Sequence, residues 1–161
     1  MSERIEHIIA RLEERGAETV ALFEGLTPAQ WSTEIYGAEG DHPTWTARDM
    51  LCHFISAERA FILLFDDIRQ GGEGSPPGFD IDLFNRKEVA AMAGEAPPAL
   101  LERFRTTRAA MIEYVRGLDD GDLEREGRHP FFGVDKVEKF LKLVYRHNSI
   151  HERDLRRSLG L

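Results

Sequence analysis

Two histidines, His147 and His151, stand four residues apart in a stretch from Tyr145 to Leu155 that reads as helix. At about 3.6 residues per turn they share one face, one turn apart, and two imidazoles so placed can grip one metal ion. Phe140, Leu141, Val144, Asn148 and Leu155 put an apolar stripe on the same side, so both rings are expected to face inward. Partly buried imidazoles need partners, because an unsatisfied polar group in a core is costly. A metal would satisfy both at once.

A third histidine, His53, falls beside Met50 and Ala57 on another helical stripe and so also points toward a core. Its own residues leave two readings open: a ligand, or a core histidine hydrogen-bonded to a neighbour. His7 lies beside the first helix's stripe and reads as a surface residue, while His42 and His129 each precede a proline in a connecting segment. Asp49, Glu58, Asn85, Asn148 and Glu152 are candidates to support such a site from behind its ligands. Asn85 reads equally as a surface amide or as one that anchors a loop. The single cysteine, Cys52, adjoins His53 but points about 100° away on a helix, which argues against a Cys-His nucleophilic pair. No nucleophile elbow or Gly-rich phosphate loop is present, and no residue stands out as a general acid or base.

The elements that must position these residues are helical. Ser2 caps a first helix running to Leu26, with Ile5, Ile8, Ile9, Leu12, Thr19, Val20 and Phe23 as its stripe. Thr27 and Pro28 start a short turn through Trp31, and Ile35 to Trp45 reads as loop. Thr46 and Asp49 form a capping signature for a second helix running to Arg69. Gln70 to Gly78 holds four glycines and two prolines, the chemistry of a mobile loop, expected to roof one end of the molecule. A short segment follows from Asp82, its cap, to Ala93, and then a third long helix from Pro97 to Leu118. Gly117 to Gly133 reads as a polar connection, before a last helix from Val134 to Ser158. No alternating strand pattern appears. Four helices with one core stripe each predict an all-α, antiparallel four-helix bundle as one domain over residues 1–161.

Bulk properties narrow the function. At 42% hydrophobic and 31% charged residues the chain reads as a soluble globular protein. A net charge of −8 argues against a nucleic-acid partner held through its phosphates. The basic residues of the last helix interleave with Asp135, Glu138, Glu152 and Asp154, and read as a solvated, salt-bridged face. The lone cysteine suits a reducing interior, and no apolar run is long enough to span a membrane. A cytoplasmic location without membrane association is expected.

Three pieces in order, Trp45 through His53, Phe84-Asn85, and His147 through His151, resemble the DinB-like superfamily of metal-binding four-helix bundles. The resemblance spans nearly the whole chain and implies the up-down-down-up form of the bundle. It implies a three-histidine site for a divalent ion, zinc or nickel, at His53, His147 and His151. It further implies a metal-dependent enzyme, either a thiol-dependent S-transferase or a hydrolase, acting on a small molecule with or without a low-molecular-weight thiol. Related members include mycothiol-dependent isomerases and bacillithiol transferases, and the resemblance also implies a two-fold homodimer. A branch protecting against colibactin-like genotoxins shares the Trp45 to His53 and Asn85 pieces. This keeps open a non-catalytic metal- or toxin-binding resistance protein. The family name, taken from a damage-inducible gene, is not read here as DNA binding.

Overall fold

The computed structural model describes residues 1–35 and 45–161, and the expectations for His42 and for most of the loop after Ile35 lie outside them. Four long helices form a bundle: α1 (Glu3–Glu24), α3 (Ala47–Arg69), α5 (Pro97–Arg116) and α7 (Val137–Leu159). Shorter helices α2 (Pro28–Trp31), α4 (Ile81–Ala91) and α6 (Asp120–Glu124) lie in the connections.

Cross-helix contacts fix the direction of each helix. Arg4 bonds Glu138 and Arg15 bonds Ser149, so α1 and α7 run parallel. Arg105 pairs with Glu24 and Arg116 with Glu13, so α1 and α5 run antiparallel. Arg108 pairs with Glu58 and the Arg69 guanidinium donates to the Gly117 carbonyl, so α3 and α5 run parallel. His53 meets His147, while His129 joins Phe61 to Phe140, so α3 and α7 run antiparallel. The order is up-down-down-up. A parallel α3–α5 pair obliges the chain to return the length of a 23-residue helix, roughly 34 Å, and α4 covers part of that path against α3.

Local chemistry starts α1, α2 and α3 where the sequence suggests. The Ser2 hydroxyl accepts from the Ile5 N–H, and both Thr27 and Thr46 close capping boxes, with Gln30 and Asp49. Gly160 ends α7 in the left-handed region at φ 70°.

Two apolar clusters fill the bundle. One gathers Phe23, Trp31, Met50, Phe54, Phe104 and Leu155 at the end where α3 begins. The other gathers Ile5, Ile8, Phe65, Met111, Phe140 and Leu141 at the opposite end. Polar residues cross the core between them. Arg108, 4% exposed, donates to both oxygens of Glu58 (2.9 and 3.1 Å) and to the Leu12 carbonyl (2.7 Å). Gly16 makes room for this: a Cβ there would sit 3.0 Å from Nη1 of Arg108. The Thr19 hydroxyl donates to the Glu152 carboxylate on the α1–α7 side.

Several expectations need correction. Two short antiparallel ribbons are present, β1 (Glu34–Ile35) with β2 (Trp45–Thr46) and β3 (Glu126–His129) with β4 (Gly133–Lys136). The second replaces part of the polar connection and delays α7 to Val137, leaving Val134 in a strand. No alternation announced it, because its inward positions are Gly127 and His129 rather than apolar residues. Asp80, not Asp82, caps α4, accepting from the Leu83 N–H at 2.9 Å. The glycine-rich loop packs on this hairpin, where Ser75 donates to the Arg128 carbonyl and Arg128 to that of Glu73, each at 2.8 Å. It therefore sits beyond the C-terminal end of α3, about 25 Å along that helix from His53. It does not roof the histidines.

Candidate metal centre

His53 lies two turns into α3, and His147 and His151 lie mid-way along α7, where the two antiparallel helices face each other. Nε2 of His147 is 2.9 Å from Nε2 of His53 and 3.0 Å from Nε2 of His151. One ring nitrogen from each of the three lies within 4.8 Å of the others, a set that could hold a metal ion. The rings meet edge to face, with centroids 4.5 to 5.1 Å apart. His53 is buried, at 5% exposure, whereas His147 and His151 are half-buried.

Aromatic rings wall the site. Trp45 covers His53 with centroids 4.9 Å apart, and Phe54 lies 6.0 Å from both His147 and His151. Trp45 is held by the β1–β2 ribbon, in register with Ile35, immediately before the Thr46 cap. One capping box thus sets both the start of α3 and the ring over His53. Helical periodicity could not find Trp45, because it precedes the helix.

Three of the five candidate supporting residues are occupied elsewhere. Asp49 closes the Thr46 capping box, Glu58 pairs with Arg108, and Glu152 takes the Thr19 hydroxyl. Burial raises the Glu152 pKa, opposed by that hydroxyl and by Arg15. Asn85 is half-buried in α4, and no hydrogen bond or ring contact among the described residues joins it to the three histidines. Asn148 is 1% exposed, and its amide has no partner among the described residues. Cys52 is buried, which pushes its thiol up to about 11 and leaves it a poor nucleophile.

The other described histidines stay apart. His7 is exposed on α1. His129 is buried at the far end, stacked on Phe61 at 5.4 Å, and its Nδ1 accepts from the N–H groups of Phe131 and Phe132 at 3.1 and 3.2 Å. Burial pushes its pKa down to about 4.

Fold and site together define a helical bundle carrying three convergent histidines. The chain belongs to the DinB superfamily, whose family model matches residues 11–155. Its fold is similar to that of YfiT from Bacillus subtilis, described as a probable metal-dependent hydrolase with an unusual four-helix bundle topology. That match has a TM-score of 0.75 and 21% identity, covering 99% of this chain and 90% of the other. It is similar too to the mycothiol-dependent maleylpyruvate isomerase, with a TM-score of 0.75 and 16% identity. That match covers 96% of this chain but 63% of the isomerase, which is the longer protein. The colibactin self-resistance protein ClbS, in complex with double-stranded DNA, matches with a TM-score of 0.73 and 13% identity over 98% of this chain and 94% of its own. No curated protein matches the sequence.

The ClbS complex corrects one expectation. This fold is found on duplex DNA, so the exclusion of a nucleic-acid partner from net charge does not stand. A sum over the chain says nothing of how charge is distributed over its faces. Among the described residues, no helix is long and apolar enough to cross a membrane.

Proposed function

We infer that the protein is a metal-dependent enzyme of the DinB superfamily, with His53, His147 and His151 as ligands of one divalent ion, zinc or nickel. The observation that carries this is the gathering of three imidazoles, with Nε2 of His147 lying 2.9 and 3.0 Å from Nε2 of His53 and of His151. A pyridine-type nitrogen has one in-plane lone pair, so His147 Nε2 cannot be well satisfied by both neighbouring rings at once. Ligands at ~2.0–2.1 Å from a common ion lie roughly 3.0–3.4 Å from one another, close to the observed spacings. Three neutral imidazoles leave coordination positions open.

A divalent ion bound there supplies Lewis acidity and lowers the pKa of a water or thiol brought against it. This chain's own residues do the positioning. His53 is fixed from the buried side by its place on α3, Trp45 and Phe54 exclude water from the rings, and the half-buried edges of His147 and His151 face the incoming molecule. The reaction is hydrolysis or thiol-dependent S-transfer on a small molecule. The name of YfiT supports the first and the name of the isomerase the second. A second reading, a resistance protein that binds without turnover, is supported by the fold shared with ClbS.

Elemental analysis of protein purified without a metal column tests the site. About one equivalent of zinc or nickel is expected, falling below a tenth in His151→Ala. Assays with low-molecular-weight thiols and electrophilic or ester substrates, each with and without chelator, then separate the readings. Turnover lost on chelation supports the enzyme, and stoichiometric binding without turnover supports the resistance protein. A wild-type protein with no bound metal and no zinc-dependent shift in melting overturns both metal-based readings.

A further inference from the structure

On the flank of α7 turned toward α1, two contiguous depressions of about 660 and 490 Å³ share Arg15, Ser149 and Arg153. Six arginines line them: Arg11 and Arg15 from α1, and Arg146, Arg153, Arg156 and Arg157 from α7. Three of the six are held by carboxylates of their own helix, Arg11 by Glu14, Arg15 by Glu18 and Arg157 by Asp154, which leaves Arg146, Arg153 and Arg156 as an uncompensated cationic stripe in a chain whose net charge is −8. Glu152 is itself buried and takes the Thr19 hydroxyl.

The pairing of α7's basic residues divides along its length. Lys139 and Lys142, in its first turns, bind Asp135 and Glu138, as a salt-bridged face should. Arg146, Arg153 and Arg156 have no ion pair among the described residues, and all three are exposed. Elsewhere on this protein most exposed arginines do have a carboxylate partner, Arg69, Arg103, Arg105, Arg116 and Arg125 among them. Because α1 and α7 are parallel here, tied by Arg15 on Ser149 at 3.1 Å, their cationic stripes run side by side. Arg11 and Arg15 stand about 6 Å apart along α1, and Arg146 to Arg157 extend about 16 Å along α7.

We propose that this α1–α7 groove is a binding site for a chain of phosphate groups. Several anionic groups in a row are needed to meet cations spread over that length, and the planar guanidinium fork fits phosphate oxygens in pairs. The groove's aromatic residue, Tyr145, is buried beneath Arg11, whose guanidinium carbon lies 5.9 Å from its ring centroid. It presents no free face for a base to stack on, and the other ring of the lining is the exposed imidazole of His7, so recognition runs chiefly through phosphate. Such a chain is either the backbone of a duplex nucleic acid or a free oligophosphate. The site stands on the other flank of α7 from His53, His147 and His151, and does not rest on the metal reading.

Two probes separate the sources: a labelled duplex of about 20 base pairs followed by fluorescence anisotropy, and tripolyphosphate followed by calorimetry. Each is run on wild type, on Arg146→Glu/Arg153→Glu, and on Arg86→Glu/Lys87→Glu, which makes the same charge change on exposed positions of α4. Thermal melts establish that both variants fold. The groove variant should bind at least one probe about tenfold more weakly or worse, and for the duplex its salt dependence should fall by about one unit per arginine removed. The α4 variant should stay within about twofold of wild type. Loss confined to the duplex assigns the nucleic-acid backbone; loss confined to tripolyphosphate assigns a small phosphate compound. If neither probe binds wild type, or if both variants lose binding equally, the groove is not a site.

Discussion

His129 and the cluster of His53, His147 and His151 sit in opposite ends of the same bundle and solve the problem of a buried imidazole differently. At His129 the chain supplies everything. The ring lies between Phe61, Phe132 and Phe140, and two backbone N–H groups of its own turn donate to Nδ1. Such a nitrogen must stay unprotonated, and burial depresses its pKa in the same direction. At the other end three rings turn Nε2 atoms on one another, an arrangement that a shared cation suits and apolar packing does not. Burial alone therefore does not mark a functional histidine.

The largest expected effect probes what separates the two ends. Arg108→Met should destabilise the protein by about 3–5 kcal/mol, because it strands the buried Glu58 carboxylate. Adding Glu58→Leu should recover most of that loss in denaturant melts. If the double variant is as unstable as the single, the pair contributes more than its own mutual satisfaction.

Next in size is the metal increment. At a hundredfold excess of zinc or nickel over its dissociation constant, wild type should gain about 2.7 kcal/mol relative to chelator. His151→Ala should lose that gain while its chelated form melts near wild type, and His129→Gln should keep it. Protons compete with metal for ring nitrogens, so the gain should also shrink in acid. Equal losses in His151→Ala with and without metal would make the cluster structural, like His129.

His129 predicts an acid limb of its own. Its folded pKa of about 4 lies below the ordinary imidazole value of ~6.5, so the fold favours the neutral ring. That contribution is complete above ~6.5 and is lost as pH falls from there to about 4, amounting to about 2 kcal/mol after solvent screening. Chelated wild type should show this limb in a series of melts across that window, and His129→Phe should flatten it. An unchanged limb would place the acid sensitivity elsewhere.

The smallest effect concerns positioning. Thr46→Ala removes the cap of α3 and should cost about 1 kcal/mol. Trp45 and His53 are set by the same start of the helix, so tryptophan emission should shift and metal affinity weaken in this variant. Thr27→Ala, at the cap of α2, should lose comparable helix stabilisation without weakening metal affinity.

Sequence alone determined what is local. Helical stripes, the caps at Ser2, Thr27 and Thr46, and the shared face of His147 and His151 depend on neighbours within four residues, where backbone geometry allows few alternatives. It also carried the family, through short pieces kept in order along the chain. Only the tertiary structure decided what depends on which elements become neighbours. His53 meets His147 across 94 residues because α3 and α7 are antiparallel, and the arginines of α1 and α7 share a groove because those helices are parallel. The glycine-rich loop went to the far end, since it continues from the C-terminus of α3 whereas His53 lies near its start. The β3–β4 hairpin stayed hidden because Gly127 and His129 are buried by their surroundings rather than by their own hydrophobicity. Periodicity reports which face of a helix is apolar; packing alone decides which other face it meets.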